Sequence, residues 1–180
     1  MRRILIILIL LIFVLPMMVF SSPQTNFYAG RLYLGGSGSL SINLDDPDSD
    51  MDIYLNPEMG TFVVTNLLMD IGVEAHLRGY SNALAIGMGA TYYIPLGYIV
   101  PYIGGTFDYT IFDDFNNNDG SMSVRALGGL DLFVTDTAAF FIEAKLPRYY
   151  IDLGMTSDWM YLYFGFHFYS PALGIGAYNI

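Results

Sequence analysis

The chain contains no cysteine, so it has neither a disulfide framework nor a cysteine-linked lipid anchor. Lysine occurs once in 180 residues, at Lys145, whereas strands that face water usually carry several lysines. Charged residues make up only 13% of the chain, while 54% are hydrophobic and 16% are aromatic. A soluble domain typically contains about 25% charged residues. Without covalent links, stability must come from burial and from backbone pairing.

Long hydrophobic runs are also absent, with one exception at the N-terminus. Residues 4–20 are apolar apart from Pro16, and they follow a basic start at residues 1–3. A basic region, an apolar region and small residues near a cleavage point are typical of a secretory signal peptide. We therefore predict that residues 1–21 are removed. An uncleaved anchor helix is the alternative, and Pro16 together with the small residues after it favours cleavage.

The expected mature chain is strongly acidic. Removing residues 1–21 takes away two of the seven basic residues and none of the 17 acidic ones, which leaves five against 17 and a net charge of −12. Such a surface repels nucleic acid, so the charge balance argues against DNA or RNA as a partner.

The composition of the mature chain is membrane-like although no membrane helix is present. Beyond residue 21, no apolar run approaches the roughly 20 residues that a transmembrane helix needs. A closed β-barrel is the other structure that can span a bilayer, because it satisfies every backbone hydrogen bond internally.

Eight segments of the chain alternate apolar and polar residues with period two, and turn residues separate them. The segments are 31–44, 52–63, 67–79, 83–94, 99–112, 122–134, 138–147 and 159–169, followed by a short tail at 170–180. Most connections alternate between long and short, as in outer-membrane barrels, although the third is short where a long one is expected. We predict an all-β fold, a single eight-stranded antiparallel up-and-down transmembrane β-barrel over residues 22–180. Ten strands are the alternative count.

The polar face of these strands is assigned to the lumen. It is rich in Gly, Ser, Thr and Tyr, carries charges of both signs and almost lacks lysine, as a tight polar interior requires. Aromatic residues also collect near the short turns, where a girdle at the membrane interface is expected. These aromatic residues are Phe62, Tyr92, Tyr93, Tyr98, Tyr102, Phe133 and Phe140.

Charged and histidine residues occupy the inward phase of seven of the eight segments, all except 83–94. They are Arg31, Glu58, Asp70, Glu74, His76, Arg78, Asp108, Arg125, Asp131, Glu143, Lys145 and His167. An eight-stranded barrel has an interior just wide enough for its own side chains, and buried charges must be paired because an unpaired buried ion is costly. We therefore predict a structural network of salt bridges that plugs the lumen.

One hairpin resembles a known family. The segment "NPEMGTFVVTNLLMDIGVEA", residues 56–75, is similar to the strand–turn–strand unit of the small outer-membrane β-barrel proteins, which include the OmpA membrane domain, OmpX and OmpW. Such chains commonly end in a strand with a terminal aromatic residue, a part that Phe168 and Tyr169 would play, but here the tail extends beyond them. The resemblance implies a barrel architecture and leaves the function open, since the family includes adhesins, transport proteins and barrels of unknown role.

No pattern in the sequence indicates catalysis or a metal site. His76 and His167 fall on the lumenal phase, where no lipid substrate reaches, so we expect no enzyme activity and no cofactor. The acidic segment "DDPDSDMD" (residues 45–52) suggests calcium, but an EF-hand that starts at Asp46 would need Gly at position 51 and Glu at position 57. Those positions hold Met51 and Pro57, so a solvated loop is the better interpretation.

The expected function is a structural or surface-interaction role in the bacterial cell outer membrane, through acidic external loops. Expected partners are outer-membrane lipid and lipopolysaccharide, and during biogenesis periplasmic chaperones and the barrel-assembly machinery. The alternatives are a narrow pore for small solutes and a soluble, lipocalin-like ligand-binding barrel.

Overall fold

The computed structural model describes residues 27–41, 52–78, 81–113, 120–156 and 160–170. The expected signal peptide, the acidic residues 45–51 and the tail beyond Ser170 lie outside the described residues. Arg78 is described as part of a strand, but its side chain is not. The predictions that concern these parts of the chain therefore stay predictions.

In the described part of the chain, ten strands form one sheet, and eight of them are long. The strands are β1 Leu32–Ser41, β2 Asp52–Val64, β3 Leu67–Arg78, β4 Ser81–Tyr93, β5 Ile99–Asp113, β6 Met122–Thr135, β7 Ala138–Lys145, β8 Tyr149–Tyr150, β9 Met155–Thr156 and β10 Tyr161–Tyr169. The ends of the eight long strands differ by at most three residues from the segments that alternation indicates.

The sheet closes into a barrel. Every long strand pairs antiparallel with its neighbours in sequence, and β1 pairs with β10 while β5 pairs with β6. The prediction of an all-β, eight-stranded antiparallel barrel is therefore confirmed. Within the described ranges, no helix is long and apolar enough to cross a lipid bilayer.

The connection after β7 contains a bulge and a short hairpin. Leu127 of β6 pairs with Lys145, and Val124 of β6 pairs with Tyr149. An interval of three residues along β6 therefore lies opposite an interval of four residues along the segment from β7 to β8. One extra residue in this interval is the mark of a β-bulge, and Pro147, which cannot donate a ladder hydrogen bond, lies within it. β8 therefore continues β7 along the edge of β6, and β9 pairs back onto β8.

Side chains alternate between the two faces of the wall, as strand geometry requires. On β3, Ile71 is 59% exposed on the outer face, whereas its neighbour Asp70 turns inward. The same holds around the barrel for the apolar residues on the outer face, which include Leu32, Leu34, Leu55, Met59, Met69, Val73, Ile86, Met88, Ile103, Leu130, Leu162, Phe164, Phe166 and Phe168. Among the described side chains, most of the charged groups lie in the interior.

An aromatic core fills the end of the barrel where the short turns lie. Phe27, which precedes β1, is fully buried. Its ring contacts those of Phe62, Tyr93, Phe133 and Tyr169, with centroid separations from 4.8 to 6.0 Å. These rings come from five separate parts of the chain, so the cluster closes this end of the lumen with apolar side chains.

Four of the seven aromatic residues expected in an outer girdle lie inside the barrel instead, so that expectation is wrong for them. They are Phe62, Tyr93, Tyr102 and Phe133, each at most 4% exposed. Phe62 shares the inward phase of Glu58 on β2, and its position next to a turn does not alter the period-two orientation of the strand. Of the other three, Tyr92 is exposed, whereas Tyr98 and Phe140 are half-buried.

Glycines make room for the largest inward side chains. A Cβ atom on Gly129 would lie 2.5 Å from the ring of Tyr102, which is its cross-strand partner. A Cβ atom on Gly165 would lie 2.6 Å from the ring of Phe141, again its cross-strand partner. Each of these aromatic rings therefore packs directly onto the backbone of the next strand.

Substitution of Gly129 tests this packing. We expect Gly129→Ala to lower the free energy of unfolding by about 1–3 kcal/mol, the usual cost of overpacking, because the new methyl group would meet Tyr102 and the carbonyl of Ile142. The matched control is Gly128→Ala, where the nearest atom would be 3.6 Å away. Denaturant titration followed by circular dichroism measures both, and equal stability of the two variants would contradict this account.

Candidate functional site

The polar residues inside the barrel form three tiers above the aromatic core. The lower tier consists of Asp131, His167 and Tyr169. The middle tier is centred on Lys145 with Glu58 and Glu143. The upper tier, which lies toward the long-loop end, consists of Glu74, Asp108, Arg125 and Arg148.

The lower tier joins the polar network to the aromatic core. Nδ1 of His167 is 2.9 Å from Oδ1 of Asp131, and the hydroxyl group of Tyr169 donates a hydrogen bond to the other carboxylate oxygen. The imidazole ring stacks on Phe141 at a centroid separation of 4.0 Å. All four side chains are buried, and both oxygens of Asp131 on β6 are held by side chains of β10, which lies beyond β7 in the sheet.

The middle tier is organised by the single lysine. Nζ of Lys145 lies 3.2 Å from Oε1 of Glu58 and 3.4 Å from Oε1 of Glu143. Asn56 donates to the same Glu58 oxygen at 2.8 Å, and the hydroxyl group of Tyr33 donates to Oε2 at 3.2 Å. Lys145 is only 1% exposed, and the two carboxylates provide the compensation that a buried ammonium group needs.

The upper tier contains two arginines and two carboxylates. Nη2 of Arg125 is 2.5 Å from Glu74, and its Nε is 3.3 Å from Asp108. Arg148 donates to both oxygens of Glu74 at 3.0 Å, and its Nε lies 3.9 Å from Asp108. Thr106 accepts a hydrogen bond from Arg125 and donates one to Asp108. Each acid is thus shared by both guanidinium groups.

Arg148 is the charged residue of the three tiers that the sequence pattern misses. On β7 the inward residues have odd numbers, such as Glu143 and Lys145, so simple alternation turns residue 148 outward. The bulge at Pro147 changes the phase by one residue, and Arg148 then faces the lumen. Burial opposes its charge, but the attraction of Glu74 outweighs this effect and raises the pKa of Arg148. A proline inside a strand pattern was the available signal for the bulge.

Arg31 lies at the opposite end from Arg148, beside the aromatic core. Its guanidinium group donates to the backbone carbonyls of Ser170 at 3.1 Å and Asp136 at 2.6 Å. It also lies over the rings of Tyr169 and Phe27, at 5.1 and 5.7 Å from their centroids. Arg31 therefore ties the start of β1 to the end of β10 and to the turn after β6.

The remaining sequence-predicted residues are Asp70, His76 and Arg78. Asp70 turns inward into a small cavity that Glu58 and Lys145 also line. His76 packs edge-on against the ring of Tyr54, with centroids 6.1 Å apart. The backbone of Arg78 lies in β3, while its side chain is outside the described part of the structure.

The cavity in the middle of the lumen is small and polar. Its volume is about 20 Å³, and its lining includes Asn56, Asp70, Thr106 and Arg125. A cavity of about 10–15 Å³ is needed to hold one water molecule. The space therefore suits one or two hydrogen-bonded water molecules and is too small for a solute at this level of the barrel.

Within the network, the basic and acidic side chains neutralise one another's charge. Among the described residues, no group of three His, Asp or Glu side chains is arranged to hold a metal ion. The His167–Asp131 pair has the composition of an acid–base unit, but the imidazole ring is 2% exposed and stacks on Phe141. A general base must lie within reach of the proton that it removes from a substrate, and this one lies deep in the packed interior.

Comparison of the sequence with protein-family models finds no match, and no curated protein matches it.

Removal of the Glu74 charge tests the upper tier. We expect Glu74→Gln to lower the free energy of unfolding by about 3 kcal/mol, because it breaks a buried ion pair. This value is the lower end of the usual range, which we choose because the Glu74 side chain is 21% exposed. The variant leaves Arg125 and Arg148 with Asp108 as their shared carboxylate. Denaturant titration gives the value.

The control is Asp136→Asn, the same chemical change at an exposed turn position, which is expected to alter stability by less than about 0.5 kcal/mol. Adding Arg148→Met to Glu74→Gln should recover part of the loss, because it removes the excess positive charge that Asp108 alone does not neutralise. Similar effects of Glu74→Gln and Asp136→Asn would refute the upper tier as a stabilising unit.

Proposed function

We propose that the protein is an integral outer-membrane β-barrel with a closed lumen, which acts as a structural or surface-interaction protein through its external loops. The observation that carries this proposal is the inverted distribution of polarity in the barrel wall. Apolar side chains such as Leu34, Met59 and Ile71 are 58–59% exposed outside, while Lys145 and Asp131 are at most 1% exposed inside. A bilayer compensates for such an apolar exterior, whereas water does not.

The lengths of the strands and the positions of exposed tyrosines support the same proposal. The long strands contain 8–15 residues, and a tilted strand of about 9–11 residues spans the hydrocarbon core. Tyr28 and Tyr92 are exposed toward the short-turn end, and Tyr149 and Tyr161 are exposed toward the long-loop end. Tyrosines at both ends of an apolar band are typical of the two membrane interfaces.

The filled lumen favours a surface role over transport. The aromatic core around Phe27 blocks the short-turn end, and in the described part of the barrel the charged tiers surround a cavity of about 20 Å³ above it. The two alternatives need a different interior. A narrow pore needs a continuous aqueous path, and a lipocalin-like barrel needs an internal cavity for its ligand.

An arginine on the outer face distinguishes a membrane barrel from a soluble one. At the middle of a bilayer, Ile71→Arg should lower the free energy of unfolding by about 2–4 kcal/mol. The matched variant Tyr92→Arg, near the end of β4, should cost at most about 1 kcal/mol because it lies at the interface. Urea titration of protein folded into phospholipid vesicles gives both values.

If the barrel is soluble instead, neither arginine should destabilise it, and the mature protein should remain monomeric in buffer without detergent. That result would overturn the membrane proposal. Cell fractionation provides an independent check, since the mature protein is expected with the outer membrane.

Electrical recording distinguishes the closed barrel from the narrow pore. Protein inserted into planar bilayers should show no unitary conductance steps, because the aromatic core and the charge network fill the lumen. Folding of the same preparation is verified by a band shift on electrophoresis that is lost after boiling, and its incorporation into lipid is verified by co-flotation with vesicles. Reproducible unitary steps would support the pore and exclude the closed lumen.

A further inference from the structure

An apolar groove crosses β2, β3, β4 and β5 on the outer face of the barrel. Its volume is about 540 Å³. Two rows of side chains in cross-strand register line it: Met59, Ile71 and Met88 in the first, and Val73, Ile86 and Tyr109 in the second. We call this site the outer groove.

The outer groove lies beside a part of the wall with little outward bulk. Gly36 of β1 pairs with Pro57 of β2, and both occupy outward positions next to the second row. Pro57 has a compact ring and no backbone N–H, and in the described β2–β3 ladder it is skipped, with pairing at Glu58 and Gly72. Neither residue provides a long side chain that could fill the space.

The lining of the groove selects an apolar and flexible occupant. Glu58 borders it, but the Glu58 carboxylate binds Lys145 in the lumen. Met59 and Met88 are unbranched and adapt to irregular shapes. The Tyr109 side chain offers a hydroxyl group on the side toward the long-loop end, so one polar end of an occupant fits there and an alkyl chain fits the rest.

The size of the groove indicates a small ligand and not a protein partner. A volume of about 540 Å³ falls within the roughly 300–1,000 Å³ of small-molecule sites. Twelve residues line it, whereas a stable protein interface takes about 20–30 residues from each partner. A second copy of the chain would need a much larger surface than the groove provides.

We propose that the outer groove binds one acyl chain of a membrane lipid, with the polar end of the lipid on the Tyr109 side. This proposal rests on the proposed membrane location. It goes beyond general contact with lipid, because a chain held in the groove exchanges more slowly than the lipids around the rest of the barrel and should be found there preferentially.

Photo-cross-linking tests the site in the intact protein. The mature chain is folded into phospholipid vesicles that contain a trace of phospholipid with a diazirine in one acyl chain, and labelled peptides are identified by mass spectrometry. Labelling at Met59, Ile71 and Met88 should exceed labelling at Leu162 and Phe166 by about tenfold, the preference that about 1.4 kcal/mol provides. These five residues have similar exposed fractions on the outer face, from 54% to 59%.

Matched substitutions identify the groove as the cause. Val73→Trp fills it and should reduce the labelling of β3 and β4 to the level found on β10. Leu162→Trp adds the same side chain elsewhere on the outer face and should leave the excess unchanged. The heat-sensitive band shift on electrophoresis verifies that each variant is folded.

The failures of the two proposals are distinguishable. Equal labelling of the groove and of β10 would overturn the lipid site while leaving the membrane location intact. No labelling on any outward residue would overturn the membrane location and the lipid site with it. Cross-links between two protein copies at the groove, together with loss of lipid labelling there, would overturn the lipid site in favour of a second copy.

Discussion

The narrowness of the barrel interior is the constraint on which the rest of the structure depends. Eight strands enclose a space just wide enough for side chains, so each large inward side chain needs a small residue beside it. Tyr102 lies over Gly129 and Phe141 lies over Gly165 for this reason. Because the interior is narrow, the ring of Phe27, which precedes β1, closes the short-turn end of the barrel together with the aromatic rings that it contacts.

In this narrow space the charges connect strands that are distant in the chain. Lys145 of β7 holds Glu58 of β2, and Arg125 of β6 holds Glu74 of β3. A buried ion pair adds little net stability compared with a well-packed apolar pair, but removal of one partner is costly. We infer that the network specifies which strands face one another across the lumen more than it adds to the free energy of unfolding.

A filled interior leaves the outer face and the loop end for function. The described exterior is a nearly continuous apolar band. The outer groove is a depression in this band beside Pro57, where the wall has little side-chain bulk. The loop end is covered in part by the bulge that brings Arg148 over Glu74. Both features arise at prolines, Pro57 within β2 and Pro147 between β7 and β8, where the regular ladder is interrupted and the wall can depart from strict alternation.

The strands and their inward phase follow from the sequence alone, because period-two alternation is a local property that each segment carries by itself. Glu58, Glu74 and Lys145 are recognisable as inward residues on that basis. The tertiary structure alone decided which inward residues meet, since barrel closure and stagger bring distant strands together. It also turned Arg148 inward, through a one-residue bulge that alternation does not register, and it gathered Phe62 and its neighbours into a core around Phe27 instead of an outer girdle.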